Sequence, residues 1–230
     1  RRSSDLDAGG ESESIVAARR ATSIDGGQRS TMAVHNESEP SRVFRLRMPP
    51  VAVALFDTPI GACGLAWGPS GIAGLLLPAA TPQRTLATLK RRHPEAIEGA
   101  PPPAMRRAIE RIVALLGGQP DDLSDLPLDM AGVPEFHRRV YEAARRIGPG
   151  HTRSYGELAV ELGEPGAARA VGQALGANPF AVIVPCHRVL AAGGRGGGFS
   201  APGGVDTKLR LLEIERARIG SQPSLFDAGS

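Results

Sequence analysis

Within Pro185-Cys186-His187-Arg188, four consecutive residues supply a nucleophile, a base that titrates near neutrality and a fixed cation. A cysteine attacks only as its thiolate, and a neighbouring His or Arg stabilises that form. Pro185 restricts the backbone before the sulfur, and Phe180-Ala181-Val182-Ile183-Val184 upstream reads as a buried strand. The thiol would then stand at a defined point at the end of that strand. A buried, inert thiol beside two unrelated polar residues is the competing reading. Side chains at adjacent positions diverge, so His187 is expected to reach the sulfur through a water molecule rather than directly. A carboxylate should orient the other imidazole nitrogen. Leu211-Leu212-Glu213-Ile214-Glu215 offers two, and periodicity does not choose between Glu213 and Glu215.

Other chemistries find less support. The glycine-dense stretch Gly193–Gly204 lacks the Gly-Lys-Ser/Thr ending of a phosphate loop and fits no GxGxxG register. Cys63, His35 and His93 form no recognisable zinc-ligand spacing, so neither metal nor cofactor is implied. With two cysteines in 230 residues there is no disulfide scaffold, and a reducing cytoplasm is the expected compartment. No apolar run approaches the roughly 20 residues of a membrane span. The chain is 41% hydrophobic and carries a net charge of +3, with 12 Lys and Arg against 8 Asp and Glu in residues 131–219. An Arg-rich codon bias is the first reading of these cations, yet the place of the excess in one C-terminal segment fits a modest footprint for a polyanion.

Several elements must position the cysteine. Residues 1–40 mix Ser, Gly, Glu and Arg without a hydrophobic period and read as a disordered tail. No apolar segment follows Arg1-Arg2 as a secretory signal would require, and Met32 is the expected natural start. Residues 41–120 read as a small α/β domain. Its strands are expected over Val43–Met48, Val51–Phe56, Cys63–Trp67 and Gly71–Leu77, with Cys63 as a buried strand residue. A helix should open at Thr81-Pro82 and end at His93-Pro94, and another should run from Ala104 to Leu116. No constellation in this domain carries evident chemistry. Residues 121–132 form an acidic connector, and 133–219 turn helical before a flexible tail at 220–230. Helices over Tyr155–Leu162 and Ala167–Ala177, joined by Gly163-Glu164-Pro165-Gly166, make a helix-turn-helix candidate, with an ordinary helical hairpin as the alternative.

Pro185-Cys186-His187-Arg188-Val189 is preceded by Asn178-Pro179 and followed by a Gly-Phe-Ser loop and Lys-x-x-Leu-Leu-x-x-Glu. In this setting it resembles the O6-alkylguanine-DNA alkyltransferase family (methylated-DNA–protein-cysteine methyltransferases). The resemblance runs from about Val133 to Ala217 and continues faintly through Thr58-Pro59-Ile60-Gly61. It implies a two-domain α/β fold: a small N-terminal RNase H-like domain, then a mainly helical, winged-helix-like DNA-binding and active-site domain. It implies single-turnover transfer of the alkyl group of O6-alkylguanine in DNA to Cys186, with O4-alkylthymine a further candidate substrate. The expected partner is double-stranded DNA bearing the lesion, the protein acting as a monomer.

By the same resemblance His187 is the water-linked base, Glu215 rather than Glu213 its carboxylate, and Asn178 a hinge that also suits a helix C-cap. Tyr155 would bond the purine and help neutralise the departing guanine. Val189, Gly197, Phe199 and Ser200 would line the base pocket, Val189 through its backbone and Ser200 toward the lesion oxygen. Arg169 would enter the base stack from a smooth helix face of Ala167, Ala168, Ala170 and Gly172, which suits sequence-tolerant approach to a minor groove. Phe199, where many members carry tyrosine, and the extra Ala201-Pro202 bear on pocket width and preferred alkyl group. Non-catalytic relatives that bind alkylguanine and recruit other repair factors form the alternative class; they replace the cysteine, which this chain keeps.

Overall fold

A computed structural model of the chain describes residues 51–194 and 197–217. The tails expected over 1–40 and 220–230 and the strand expected over Val43–Met48 lie outside the described residues. The fold begins with an antiparallel meander of β1 (Ala52–Thr58), β2 (Gly61–Gly68) and β3 (Gly71–Leu76). Tight turns at Thr58–Gly61 and Gly68–Gly71 join the strands, and Gly61 and Gly71 take φ values of 121° and 122° that L side chains rarely adopt. Helix α1 (Pro82–Arg92) follows, capped by Thr81 Oγ1 accepting from Arg84 N, with proline in its first turn. The short β4 (Ile97–Glu98) pairs parallel to β1, giving the order β3-β2-β1-β4. Helix α2 (Pro103–Leu116) buries Met105, Ala108, Ile112 and Leu115.

The connector over 121–132 is fastened rather than loose. Ile72 N donates to Pro127 O (2.9 Å) and Asp129 N to Ile72 O (2.7 Å), while Leu123 and Leu126 enter the core. The Arg111 guanidinium grips Asp121 through two hydrogen bonds, and Arg145 Nη2 collects the carbonyls of Leu123, Ser124 and Leu126. Beyond it come α3 (Glu135–Arg145), β5 (Arg153–Ser154), α4 (Tyr155–Glu161) and α5 (Ala168–Gly176). A turn of 3₁₀ helix (Cys186–Arg188), β6 (Val189–Leu190) parallel to β5, and α6 (Gly204–Ile214) complete the fold. One apolar cluster runs from the sheet through α2 and α3 to Val184, Val189 and Leu211. No helix among the described residues is long and apolar enough to cross a membrane.

One expected element is replaced. Phe180–Val184 is buried, yet it forms turns and isolated bridges instead of a strand. Val182 adopts φ 72°, and Val184 N bonds back to Phe180 O (2.8 Å), so the segment curls on itself. Continuous apolar character reports burial on all sides, and a compact loop meets that condition as well as a strand does.

Gly71 sits where the sheet meets the connector, and a Cβ there would fall 2.5 Å from the Pro127 carbonyl oxygen. Gly71→Ala is therefore expected to lower unfolding stability by about 2–4 kcal/mol through backbone strain and overpacking, measured by urea titration. An unchanged midpoint would show that the connector yields freely.

Candidate active site around Cys186

Asn178 organises the loop that carries the cysteine. It lies one residue beyond the α5 C-cap, which is Ala177, so it is not itself the cap. Its Oδ1 accepts from Phe180 N (2.9 Å), and its Nδ2 donates to Val184 O (2.8 Å) and to Cys186 Sγ (3.4 Å). One amide side chain thereby closes the curl of residues 180–184 and points a donor at the sulfur.

Cys186 opens the 3₁₀ turn with 8% of its surface exposed. Its pKa is raised by burial, which outweighs the Asn178 donor and the charge of Lys208. At rest the group is thus a neutral thiol, not the stabilised thiolate anticipated from its sequence neighbours. Arg188, expected to support that thiolate, turns away. Its Nε and Nη2 donate to the two oxygens of Glu215 (2.8 and 2.7 Å), and its Nη1 donates to Ile147 O (2.6 Å).

His187 lies on the same carboxylate, with Nε2 3.0 Å from Glu215 Oε1. Glu215 has its pKa lowered to about 2: burial opposes ionisation, and the His187 and Arg188 donors overcome it. An ionised carboxylate only accepts, so Nε2 carries the imidazole hydrogen and Nδ1 keeps its lone pair. Nδ1 is buried without a partner among the described residues. Burial lowers the pKa of His187 despite Glu215, leaving a neutral ring with one free basic nitrogen. Glu213 is exposed on α6.

Tyr155 owes its place to a capping box. Ser154 Oγ accepts from Glu157 N, and the Glu157 carboxylate accepts from Ser154 N, which fixes the first turn of α4. The ring packs near Gly172 of α5 and Gly197, whose φ is 61° and where an added Cβ would fall 3.1 Å from the ring, so that a side chain there would strain the backbone and press on Tyr155. The hydroxyl lies 3.5 Å from both Gly198 O and Lys208 Nζ.

Lys208, to which the sequence reading gave no role, is fully buried and donates to Val189 O (2.6 Å). Burial lowers its pKa to about 8. A signal existed: Lys208 precedes Leu211 and Leu212 by three and four residues, on the buried stripe of α6.

A cavity of about 550 Å³ opens at Cys186, within the roughly 300–1,000 Å³ range of small-molecule sites. Tyr155, Arg169 and Gly172 line it from α4 and α5, and Phe199 and Ser200 from the loop before α6. Arg169 is exposed, and Ala168 borders the cavity on the same helix. Ala167, Ala170, Val189 and Gly197 are not among its lining residues. Ala167 and Ala170 are half-buried around α5, Val189 is in the core with its carbonyl occupied by Lys208, and Gly197 backs the Tyr155 ring. Cys63, with its pKa pushed up to about 12 by burial, sits in β2.

Comparison with known proteins places this geometry. A family model described as "6-O-methylguanine DNA methyltransferase, DNA binding domain" matches residues 135–217. A methylated-DNA–protein-cysteine methyltransferase of Mycolicibacterium paratuberculosis is 42% identical over 173 residues, covering 74% of this chain and 96% of that protein. The chain belongs to the methylated-DNA–protein-cysteine methyltransferase family. Among solved structures similar to it is Mycobacterium tuberculosis OGT in complex with DNA, at 38% identity and TM-score 0.59, covering 74% of this chain and 96% of that one. A Thermus thermophilus relative named DNA base-flipping protein is 42% identical over 160 residues, 70% of this chain and 97% of its own length. Membership in the methyltransferase family thus extends well beyond the matched DNA-binding region into the sheet domain.

Loss of charge at Glu215 would strand the buried Arg188 guanidinium, so Glu215→Gln is expected to cost about 3–5 kcal/mol of stability at neutral pH. The folded-state pKa is depressed from 4.5 to about 2, so the carboxylate's contribution is complete above pH 4.5 and is lost as pH falls toward 2. Chemical denaturation across that window should show the wild-type protein losing stability and the variant losing distinctly less. Parallel curves would remove Glu215 as the source.

Proposed function

We propose that this protein repairs alkylated DNA by moving the alkyl group from O6 of guanine to Cys186 in a single irreversible turnover. The observation that carries this reading is the cavity bounded by Tyr155, Arg169 and Gly172 with the Cys186 thiol at its edge. The partner is DNA; more finely, duplex DNA carrying O6-alkylguanine, bound by a monomer through the α4–turn–α5 unit. Arg169, exposed on α5, would fill the stack as the lesion swings out, offsetting part of an unstacking cost of about a few kcal/mol. The name of the Thermus relative supports base extrusion as the mode of access.

The chemistry follows from the hydrogen bonds. A water molecule between Cys186 and His187 Nδ1 would pass the thiol proton to the imidazole, whose positive charge Glu215 then balances. As that proton leaves, the Asn178 amide donor and Lys208 stabilise the thiolate. Sulfur bonds to the alkyl carbon as the carbon–O6 bond breaks, the electron pair leaving with the purine. The guanine anion takes a proton from Tyr155, which recovers one from Lys208 Nζ, 3.5 Å from its hydroxyl, and the proton that His187 took from the thiol balances the sum. Ser200, which borders the cavity, would bond O6, while Phe199 shapes the wall around the base and Gly197 acts only by backing the Tyr155 ring. The product thioether is inert to thiol exchange, so each molecule acts once.

Two finer structural readings belong with this function. The order β3-β2-β1-β4, with β4 parallel to β1, supports an RNase H-like first domain over residues 41–120. The α4–turn–α5 unit beside the β5–β6 pair supports a winged-helix-like second domain over 133–219, with 121–132 the connector.

Incubation with a duplex containing one O6-methylguanine should place a single methyl group on the Cys186 peptide in mass spectrometry, and Cys186→Ala should retain DNA binding while losing transfer. Methyl transfer by that variant would reject the assignment. Tight, lesion-selective binding by the wild-type protein without transfer would establish the alternative, a recognition protein that recruits other repair factors, which the likeness to the Thermus protein keeps in view.

A further inference from the structure

Cys186 also borders a second cavity, of about 340 Å³, bounded by β3 and α1 instead of α4 and α5. Leu77, Ala181, Ala201 and Pro202 supply apolar wall, while Thr88, Arg91 and Arg92 of α1 supply a polar and cationic one. The two cavities share Phe199 and Ser200 as well as the cysteine. No acidic side chain lines the second one. Neither Arg91 nor Arg92 has a hydrogen-bond or ion-pair partner among the described residues, whereas the neighbouring Lys90 is paired with Glu98. Two adjacent cations, both exposed at the end of α1, are left lining a space beside the nucleophile.

Displacement at carbon requires sulfur, carbon and the leaving oxygen to lie on one axis, with the remaining substituents spread around it. For a methyl lesion these are hydrogens and need no space. For a longer alkyl group one substituent must leave the axis sideways while the purine occupies the first cavity, and the second cavity meets the first at the sulfur. The extra Ala201-Pro202, expected from sequence to bear on the alkyl group, lines this second space. The geometry points to a substrate class: O6-alkylguanines whose alkyl group ends in a carboxylate, its methylenes against the apolar wall and its anion toward Arg91 and Arg92. This inference rests on the repair function above and adds no step to it. The sulfur–carbon bond forms and the carbon–O6 bond breaks as for methyl, and the carboxylate stays on the transferred group.

The test uses full-length protein and three duplexes, carrying O6-methyl-, O6-pentyl- or O6-(4-carboxybutyl)guanine, the last two matched in length. Single-turnover transfer rates should show the wild-type protein accepting the carboxybutyl group at least as fast as the pentyl group. Arg91→Ala combined with Arg92→Ala should slow carboxybutyl transfer about fivefold while methyl and pentyl transfer change by less than about twofold. Thr88→Trp, which fills the second cavity from the surface of α1, should slow both long groups and spare methyl. Equal slowing of all three lesions by the arginine variant would overturn the inference and assign Arg91 and Arg92 to DNA phosphates. Faster pentyl than carboxybutyl transfer by the wild-type protein would overturn it too. Absence of methyl transfer by the wild-type protein would instead sink the repair function on which it stands.

Discussion

A buried carboxylate is the constraint on which the rest of the site depends. Glu215 closes α6 and receives three nitrogen donors, two from Arg188 and one from His187. Burying any of these groups alone would be expensive; together they satisfy one another, and Ile147 O takes the remaining arm of the guanidinium. Because Cys186, His187 and Arg188 share one 3₁₀ turn, fixing the latter two fixes the sulfur as well. The carboxylate also dictates the tautomer of His187, and with it which nitrogen is free to accept a proton. Position and protonation are thereby set by one side chain.

A second set of contacts ties that turn to the sheet. Leu75 N donates to Pro179 O (2.8 Å), and Leu75 and Phe180 form an isolated bridge, so the loop organised by Asn178 is docked on the edge of β3. The first domain is therefore a wall of the site and not a separate appendage. Its helix α1 brings Thr88, Arg91 and Arg92 to a cavity shared with the cysteine, where the sequence had shown no chemistry. The same arrangement explains why the thiol rests neutral: packing from both sides removes water, and Asn178 and Lys208 recover only part of the lost solvation.

Much of this was legible because local rules and tertiary structure agree. The Thr81-Pro82 helix start, the glycine-marked turns of the meander and the apolar stripe of α2 each carry their own signal, and each forms where expected. Cys186, His187, Asn178 and Tyr155 stand together, with Glu215 and not Glu213 on the imidazole. What escaped the sequence depends on partners distant along the chain. Arg188 looked like support for the thiolate because it is near in sequence, yet its charge is consumed 27 residues away by Glu215. Phe180–Val184 looked like a strand because burial was visible and the Asn178 side chain's closure of a loop was not. Lys208 went unassigned because a lysine is ordinarily a surface residue, and only its place on the α6 stripe contradicted that.

The partition formed by Phe199 and Ser200 has an evolutionary consequence. These residues border both compartments and share no hydrogen bond with Glu215, His187 or Arg188, whose partners among the described residues lie elsewhere. Lengthening or trimming the segment before α6 can therefore redraw the boundary between compartments while the proton-handling machinery stays intact. On the function proposed above, breadth of substrate and competence for reaction would be inherited on different stretches of chain, so a lineage could diversify the first without gambling with the second.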